Sequence, residues 1–327
     1  MIRDIFLRTC LFCAIGIFSF TGTSSFAADK NIADIFPNAK EKITAAGKDY
    51  YFWSSLPYMG YKKIQYLDLY VPKSTPNGTR PAAMITHGGG WSIGDKAASR
   101  ERNFAEFMVD QGYVAISINY TLVPYEGKKR IGDGWPDNIY DCKSALRWLK
   151  KNAKSLHIDP DRIVLIGGSA GGHLSLLNGL SMNNKELNGK GAYLDQNTSI
   201  RCIIDFYGPI DAREGREGKP YVKSSPIDKN AWGGSFIKEK FAERPDIWAL
   251  ASPVEHLSSD SPPILIFQGD SDAVVNVNVS RRFNKLLDEK KIPHIYVEVA
   301  GAPHSFALNP CGKDLRPIIL KFLKENL

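Results

Sequence analysis

The chain has 327 residues, 43% hydrophobic and 24% charged, a globular composition long enough for one large α/β core. It contains no heptad run, no fixed repeat and only one sustained apolar segment, which excludes a coiled coil, a solenoid and a polytopic membrane protein. The net charge of +7 comes from bases interleaved with acids; this reads as ordinary surface with a slight allowance for an acidic polymer substrate, and not as a nucleic-acid footprint.

In chain order, Arg3 and Arg8 precede the apolar run from Cys10 to Phe20, and small residues follow at Ser25 and Ala27. Spanning a membrane takes ~20 apolar residues and this run has about half of that. The pattern therefore predicts a signal peptide over 1–27, cleaved near Ala27, and a secreted or periplasmic mature protein with no stable membrane insertion. Cys10 and Cys13 lie at the start of the run and inside it, so neither closes it as a lipidated cysteine would. Cleavage leaves a net charge of +6 and three cysteines, Cys142, Cys202 and Cys311.

Residues 28–60 are rich in aromatics (Tyr50, Tyr51, Phe52, Trp53, Tyr58) and carry no assignable period. From Lys62 short apolar strands alternate with amphipathic segments, the signature of an α/β fold with a mostly parallel sheet and helices on both faces. Strands are predicted over Ile64 to Val71, Ala82 to Thr86, Val114 to Asn119, Arg162 to Ile166, Ile200 to Tyr207, Pro263 to Gln268 and His294 to Val299. Helices are predicted over Ala97 to Gln111, Trp135 to Ser155, Ala170 to Asn183, Val279 to Lys290 and Leu315 to Leu327. Between 208 and 252 the rhythm fails, so 61–327 reads as one catalytic domain with an insertion over the carboxyl edge of the sheet.

Chemistry concentrates at strand ends. After the second strand come His87, Gly88, Gly89, Gly90 and Trp91; a run of glycines there lets backbone amides approach a ligand and suits an oxyanion hole. Gly167-Gly168-Ser169-Ala170-Gly171 joins a strand to a helix and fits G-x-S-x-G in its required context, which makes Ser169 the candidate nucleophile and the helix amides its electrostatic support. After the strand ending at Gln268 stand Asp270 and Asp272. Asp272 is the candidate orienting acid because the following Ala-Val-Val can anchor it, whereas Asp270 reads as a turn cap through its own backbone.

Of the six histidines, His304 follows the last strand and is the candidate base. His87 belongs to the glycine loop, His157 and His294 read as structural or surface, His256 lacks a supporting motif, and His173 lies one turn into the nucleophile's helix and points into packing. Cys142 shares a helical stripe with Trp135, Ile139, Leu146 and Leu149 and reads as a packed thiol, leaving Cys202 and Cys311 as the one pair available for a bridge. Trp91, Tyr125, Trp135 and Trp232 are candidate aromatic contacts for a sugar ring, with Tyr221 beside them. No metal-ligand spacing or phosphate-binding fingerprint is present, so neither cofactor nor metal is expected.

Together the blocks His87 to Lys96, Ile118-Asn119-Tyr120, Ile158 to Arg162, Gly168 to Leu174, Tyr207-Gly208-Pro209, Ala251-Ser252-Pro253 and Gly269 to Asp272 resemble the α/β-hydrolase superfamily. Within it they resemble the hormone-sensitive-lipase-like and bacterial carbohydrate esterases, including the BD-FAE or acetylxylan esterase/feruloyl esterase proteins. The resemblance implies Ser169 as nucleophile, His304 as base, Asp272 as acid and an oxyanion hole from the amides of Gly89, Gly90 and Ala170. The chain departs from the family pattern with Gln268 where His is usual and Pro303 where Gly is usual. The expected function is a serine carboxylesterase acting on short acyl esters, O-acetyl or feruloyl groups on a small or polysaccharide carbohydrate. The alternatives are a peptidase resembling the prolyl oligopeptidase group, for whose propeller the chain has no room, and a binding module that has lost its chemistry.

Overall fold

A computed structural model describes Ile32, Phe36 and residues 38–59, 64–74, 76, 78–223 and 230–327; the signal peptide expected over 1–27 lies outside the described residues. The centre is a nine-stranded sheet. Its strands are β1 (Lys40–Ile43), β2 (Asp49–Met59), β3 (Ile64–Pro72), β4 (Arg80–Thr86), β5 (Val114–Ile118), β8 (Ile158–Gly168), β9 (Cys202–Phe206), β10 (Ile264–Gly269) and β11 (His294–Val299). They lie in the order β1-β2-β3-β5-β4-β8-β9-β10-β11. From β5 to β11 neighbouring strands are parallel, while β1, β2 and β3 join antiparallel at one edge. β6 (Tyr125–Glu126) and β7 (Lys129–Arg130) form a separate small hairpin.

The parallel strands are apolar on both faces because both faces are covered. Alternate residues enter different cores: Ala82 and Met84 of β4 pack with one, Ala83 and Ile85 with the other. The first core takes Ile139, Cys142, Leu146 and Leu149 of α2 (Asp137–Lys151), Leu174 and Leu177 of α3 (Ala170–Leu180), and Val279, Phe283 and Leu287 of α6 (Val277–Glu289). On the opposite face Phe104 and Met108 of α1 (Ser99–Asp110) pack with Ile319, Phe322 and Leu323 of α7 (Arg316–Asn326). Between α3 and α6 lie two short helices, α4 (Lys185–Asn188) and α5 (Pro245–Leu250).

The seven strands and five helices expected from periodicity are all present with ends moved by a few residues. The unassigned aromatics form β2, whose pairing with β3 shifts register between Trp53 and Leu56. Ser55 at this irregularity has φ of 57° and its N–H donates to Asp68 Oδ1 at 2.8 Å. The shift breaks the simple alternation, so Tyr50 and Phe52 enter one core while Trp53 and Tyr58 enter the other. The residues after Gly208 close over the carboxyl edge, burying Trp232, Phe236 and Ile237.

Candidate active site

Ser169 stands between β8 and α3 with φ of 58° and ψ of −126°. A serine is held there only by its surroundings. Its N–H donates to Phe206 O of β9 at 2.9 Å, and the turn is tight enough that a Cβ on Gly167 would lie 2.2 Å from Gly171 O and one on Gly171 2.1 Å from Thr86 O. The strained turn lifts Oγ out of the strand and aligns it with the free amides and positive end of α3.

His304 Nε2 lies 2.9 Å from Ser169 Oγ and His304 Nδ1 2.7 Å from Asp272 Oδ2. The carboxylate accepts the Nδ1 proton, which fixes the tautomer that leaves Nε2 free to accept from the serine. Asp272 is itself held by four donors. Val274 N and Val275 N bond Oδ1 at 2.8 and 2.9 Å, while Gln268 Nε2 shares Oδ2 at 3.0 Å with His304. Gln268 is buried and locked in turn, since its Oε1 accepts from Ser280 Oγ at 2.8 Å and its Nε2 also donates to Val275 O at 3.1 Å. It does here, as a neutral amide donor, what a ring N–H at that position would do. Gln268→Leu is therefore expected to lower kcat about tenfold, the scale of one hydrogen bond to a charged group, and Gln268→His to recover most of it; equal loss in both variants would show a packing role only.

Asp270 differs from its expected role. Its Oδ1 accepts from Gly301 N at 2.7 Å and from Ser271 Oγ at 3.0 Å, so it ties the turn after β10 to the turn after β11 instead of capping its own backbone. Tyr207 was not foreseen: its ring lies 4.7 Å from that of His304, its hydroxyl donates to Phe306 O, and it accepts from Arg100 Nη1 at 3.1 Å. Burial pushes its phenol up to about 12, so the hydroxyl remains a donor at neutral pH.

The glycine loop wraps Ser169 from the β4 side. Gly89 has φ of 108°, and a Cβ there would meet Ile93 O at 2.1 Å, so only glycine fits. Gly89 and Gly90 line the cavity that holds Ser169 and His304, and Ala170 is the first residue of α3. His87 braces the loop through its buried Nδ1, 2.6 Å from Gly88 O, with its ring stacked on Tyr120.

This cavity, of about 340 Å³, is also lined by Trp91, Tyr125, Arg216, Trp232 and Val274. Trp135 is absent from it: the indole is buried edge-on to Phe236 and its backbone N–H bonds Phe236 O at 3.2 Å. At the front of a helix one apolar face serves core or cavity alike, and here the core takes it. Trp91 and Trp232 reach the cavity but are only 1% and 4% exposed, whereas Tyr125 is 46% exposed. Trp91 is drawn inward because its Nε1–H donates to His173 Nδ1 at 3.2 Å. Tyr221 packs on Phe241 away from the cavity.

His173 is buried, and its Nε2–H donates to Ala251 O at 2.9 Å. Burial pushes its pKa down to about 4, so it stays neutral in a structural role. The Cys202 and Cys311 thiols do not form the bridge considered above: Cys202 is buried in β9, while Cys311 is exposed with its Sγ 3.3 Å from Gly301 O. Cys142 is free and buried in its stripe. No cluster of His, Cys, Asp or Glu suited to a metal and no helix long and apolar enough to cross a membrane occurs among the described residues.

A nine-stranded, mostly parallel sheet with a serine at a strained strand-to-helix turn and histidine and aspartate on later strand ends defines an α/β-hydrolase. Residues 67–287 match the BD-FAE family, and the chain belongs to it. Among relatives, the probable carboxylic ester hydrolase LipM of Mycobacterium tuberculosis is 28% identical over 80% of this chain and 58% of its own length. The esterase LipQ of the same organism is 27% identical over 78% and 57%. The chain thus spans under three-fifths of these relatives. Among solved structures, a truncated carbohydrate esterase from gut microbiota superposes with a TM-score of 0.69 at 26% identity, covering 84% of this chain and 95% of that one.

Proposed function

We propose that the protein is a serine carboxylesterase that removes short acyl groups from carbohydrate and works outside the cytoplasm. The observation that carries the reading is the chain Ser169 Oγ, His304 Nε2, His304 Nδ1, Asp272 Oδ2, with contacts of 2.9 and 2.7 Å, opening beside a glycine loop. Ser169 Oγ attacks the ester carbonyl carbon as its proton passes to His304 Nε2, and the amides of Gly89, Gly90 and Ala170 receive the oxyanion. Collapse breaks the carbon–oxygen bond, and the leaving alkoxide takes the proton from His304. Water, deprotonated by His304, then attacks the acyl-enzyme and releases the acid and free Ser169.

Support for a carbohydrate substrate comes from the likeness to a carbohydrate esterase and from exposed Tyr125 at the cavity mouth. Support for export comes from Arg3, Arg8 and the apolar run to Phe20; sequencing the N-terminus of protein recovered outside the cytoplasm is expected to read from Ala28. A cavity of about 340 Å³ closed by Trp91 and Trp232 has no long apolar channel. On a p-nitrophenyl ester series kcat/KM is expected to be highest at acetyl and to fall steeply beyond butyryl, with acetylated xylan and methyl ferulate testing the natural class. Higher kcat/KM on long-chain than on acetyl esters would replace this reading with a lipase-like one.

A further inference from the structure

The active-site cavity has one permanently charged side chain among its described lining residues, Arg216, and none of the described carboxylates pairs with it. Several charged residues around it are paired with one another. Arg213 pairs with Asp211 at 2.7 Å and with Glu255, Arg282 pairs with Glu214 at 2.6 Å, and Glu217 pairs with Lys219 at 2.9 Å. Arg216 instead has its guanidinium carbon 5.2 Å from the ring centre of Trp232. A cation–π contact of that kind keeps the group near the ring face without using its N–H donors.

The segment that presents Arg216 is pinned. Gly215 bridges Ala231, Trp232 N bonds Glu214 O at 2.9 Å, and Arg282 Nη1 donates to Gly218 O. A pre-positioned guanidinium that pairs with no described carboxylate, in the cavity of a reactive serine, matches a planar two-oxygen anion better than any neutral sugar hydroxyl. We propose that Arg216 is a specificity-determining residue that binds the carboxylate of an acidic sugar, so that the substrate is an O-acylated carbohydrate containing uronic acid. This rests on the esterase reading above and narrows its substrate class. The carboxylate is assigned to the sugar side of the ester, because Arg216 is exposed while Trp91, at another part of the lining, is buried.

The test compares kcat/KM on acetylated oligogalacturonide and on acetylated xylo-oligosaccharide of equal length, with p-nitrophenyl acetate and p-nitrophenyl hemisuccinate as small probes. The intact protein is expected to prefer the uronate about tenfold at low salt, the preference shrinking as salt rises. Arg216→Gln is expected to lower the uronate-to-neutral ratio about tenfold, mainly through KM, and Arg216→Lys to keep part of it. An unchanged ratio in Arg216→Gln, or a hemisuccinate preference lost on its own, overturns the proposal. Titration of Ser169→Ala protein with the two oligosaccharides reads the same preference without turnover. Failure of the intact protein on every ester with the binding preference intact would count against the esterase reading alone, and equal binding of the two sugars would count against Arg216.

Discussion

Ser169→Ala and His304→Ala are each expected to lower kcat by about 10⁴-fold or more, with little further loss when the two are combined, because nucleophile and base act as one unit. Both side chains meet at a single 2.9 Å contact, so removing either leaves the other without a function. Thermal unfolding is expected to stay near that of the parent protein, which separates loss of chemistry from loss of fold. Asp272→Ala removes the acceptor of Nδ1, takes one of the acceptors from Gln268 Nε2 and leaves the amides of Val274 and Val275 without their carboxylate, so it is expected to cost less in kcat and more in stability. The informative control is His173→Ala, one helical turn from Ser169. Abolished turnover there, with His304→Ala near wild type, would reverse the assignment of the base.

Gly171→Ala is expected to have a large effect on folding for a single methyl group. The added carbon would lie 2.1 Å from Thr86 O and 2.6 Å from His87 O, both backbone atoms, so neither rotamer change nor a small shift relieves the contact. Strand β4 and helix α3 would have to separate, at a cost of about 4 kcal/mol or more, or roughly 10 °C in Tm for a domain of this size. The matched control is Gly47→Ala, where φ is 76° but nothing lies within 4 Å of the new carbon. That change carries only backbone strain, about 1 kcal/mol. Equal stability of the two variants would sink the close-approach argument.

The residues that could be found from sequence share a property: each is announced by what precedes it in the chain. Ser169 follows an apolar strand and opens a helix, and His304 and Asp272 each follow a strand, so their placement needs only the period of the strand and the rule that parallel sheets work at their carboxyl edge. Residues set by contacts far away in sequence were not legible. Tyr207 meets Phe306 across 99 positions, and Asp270 meets Gly301 across 31. Arg216 sits in a segment whose regular pattern is absent, and its meaning lies in the acids that pair with its neighbours instead. Strand β2 was hidden because its irregular register sends aromatics to both cores, so neither a period of two nor of 3.6 shows. Trp135 was misplaced for the opposite reason, since an apolar residue ahead of a helix gives no sign of which neighbour will cover it.

The segment between β9 and β10 leaves the sheet after the strand that holds Ser169 N–H and returns before the strand that carries Asp272. Ser169, Asp272 and His304 thus hang from β8, β10 and β11, while Arg216 and Trp232 hang from the excursion. The groups that would break the bond are therefore fixed by the sheet, while one wall of the cavity belongs to a stretch of chain that contributes no strand to it. Substitutions in that wall can change the charge the cavity presents without moving Ser169, Asp272 or His304.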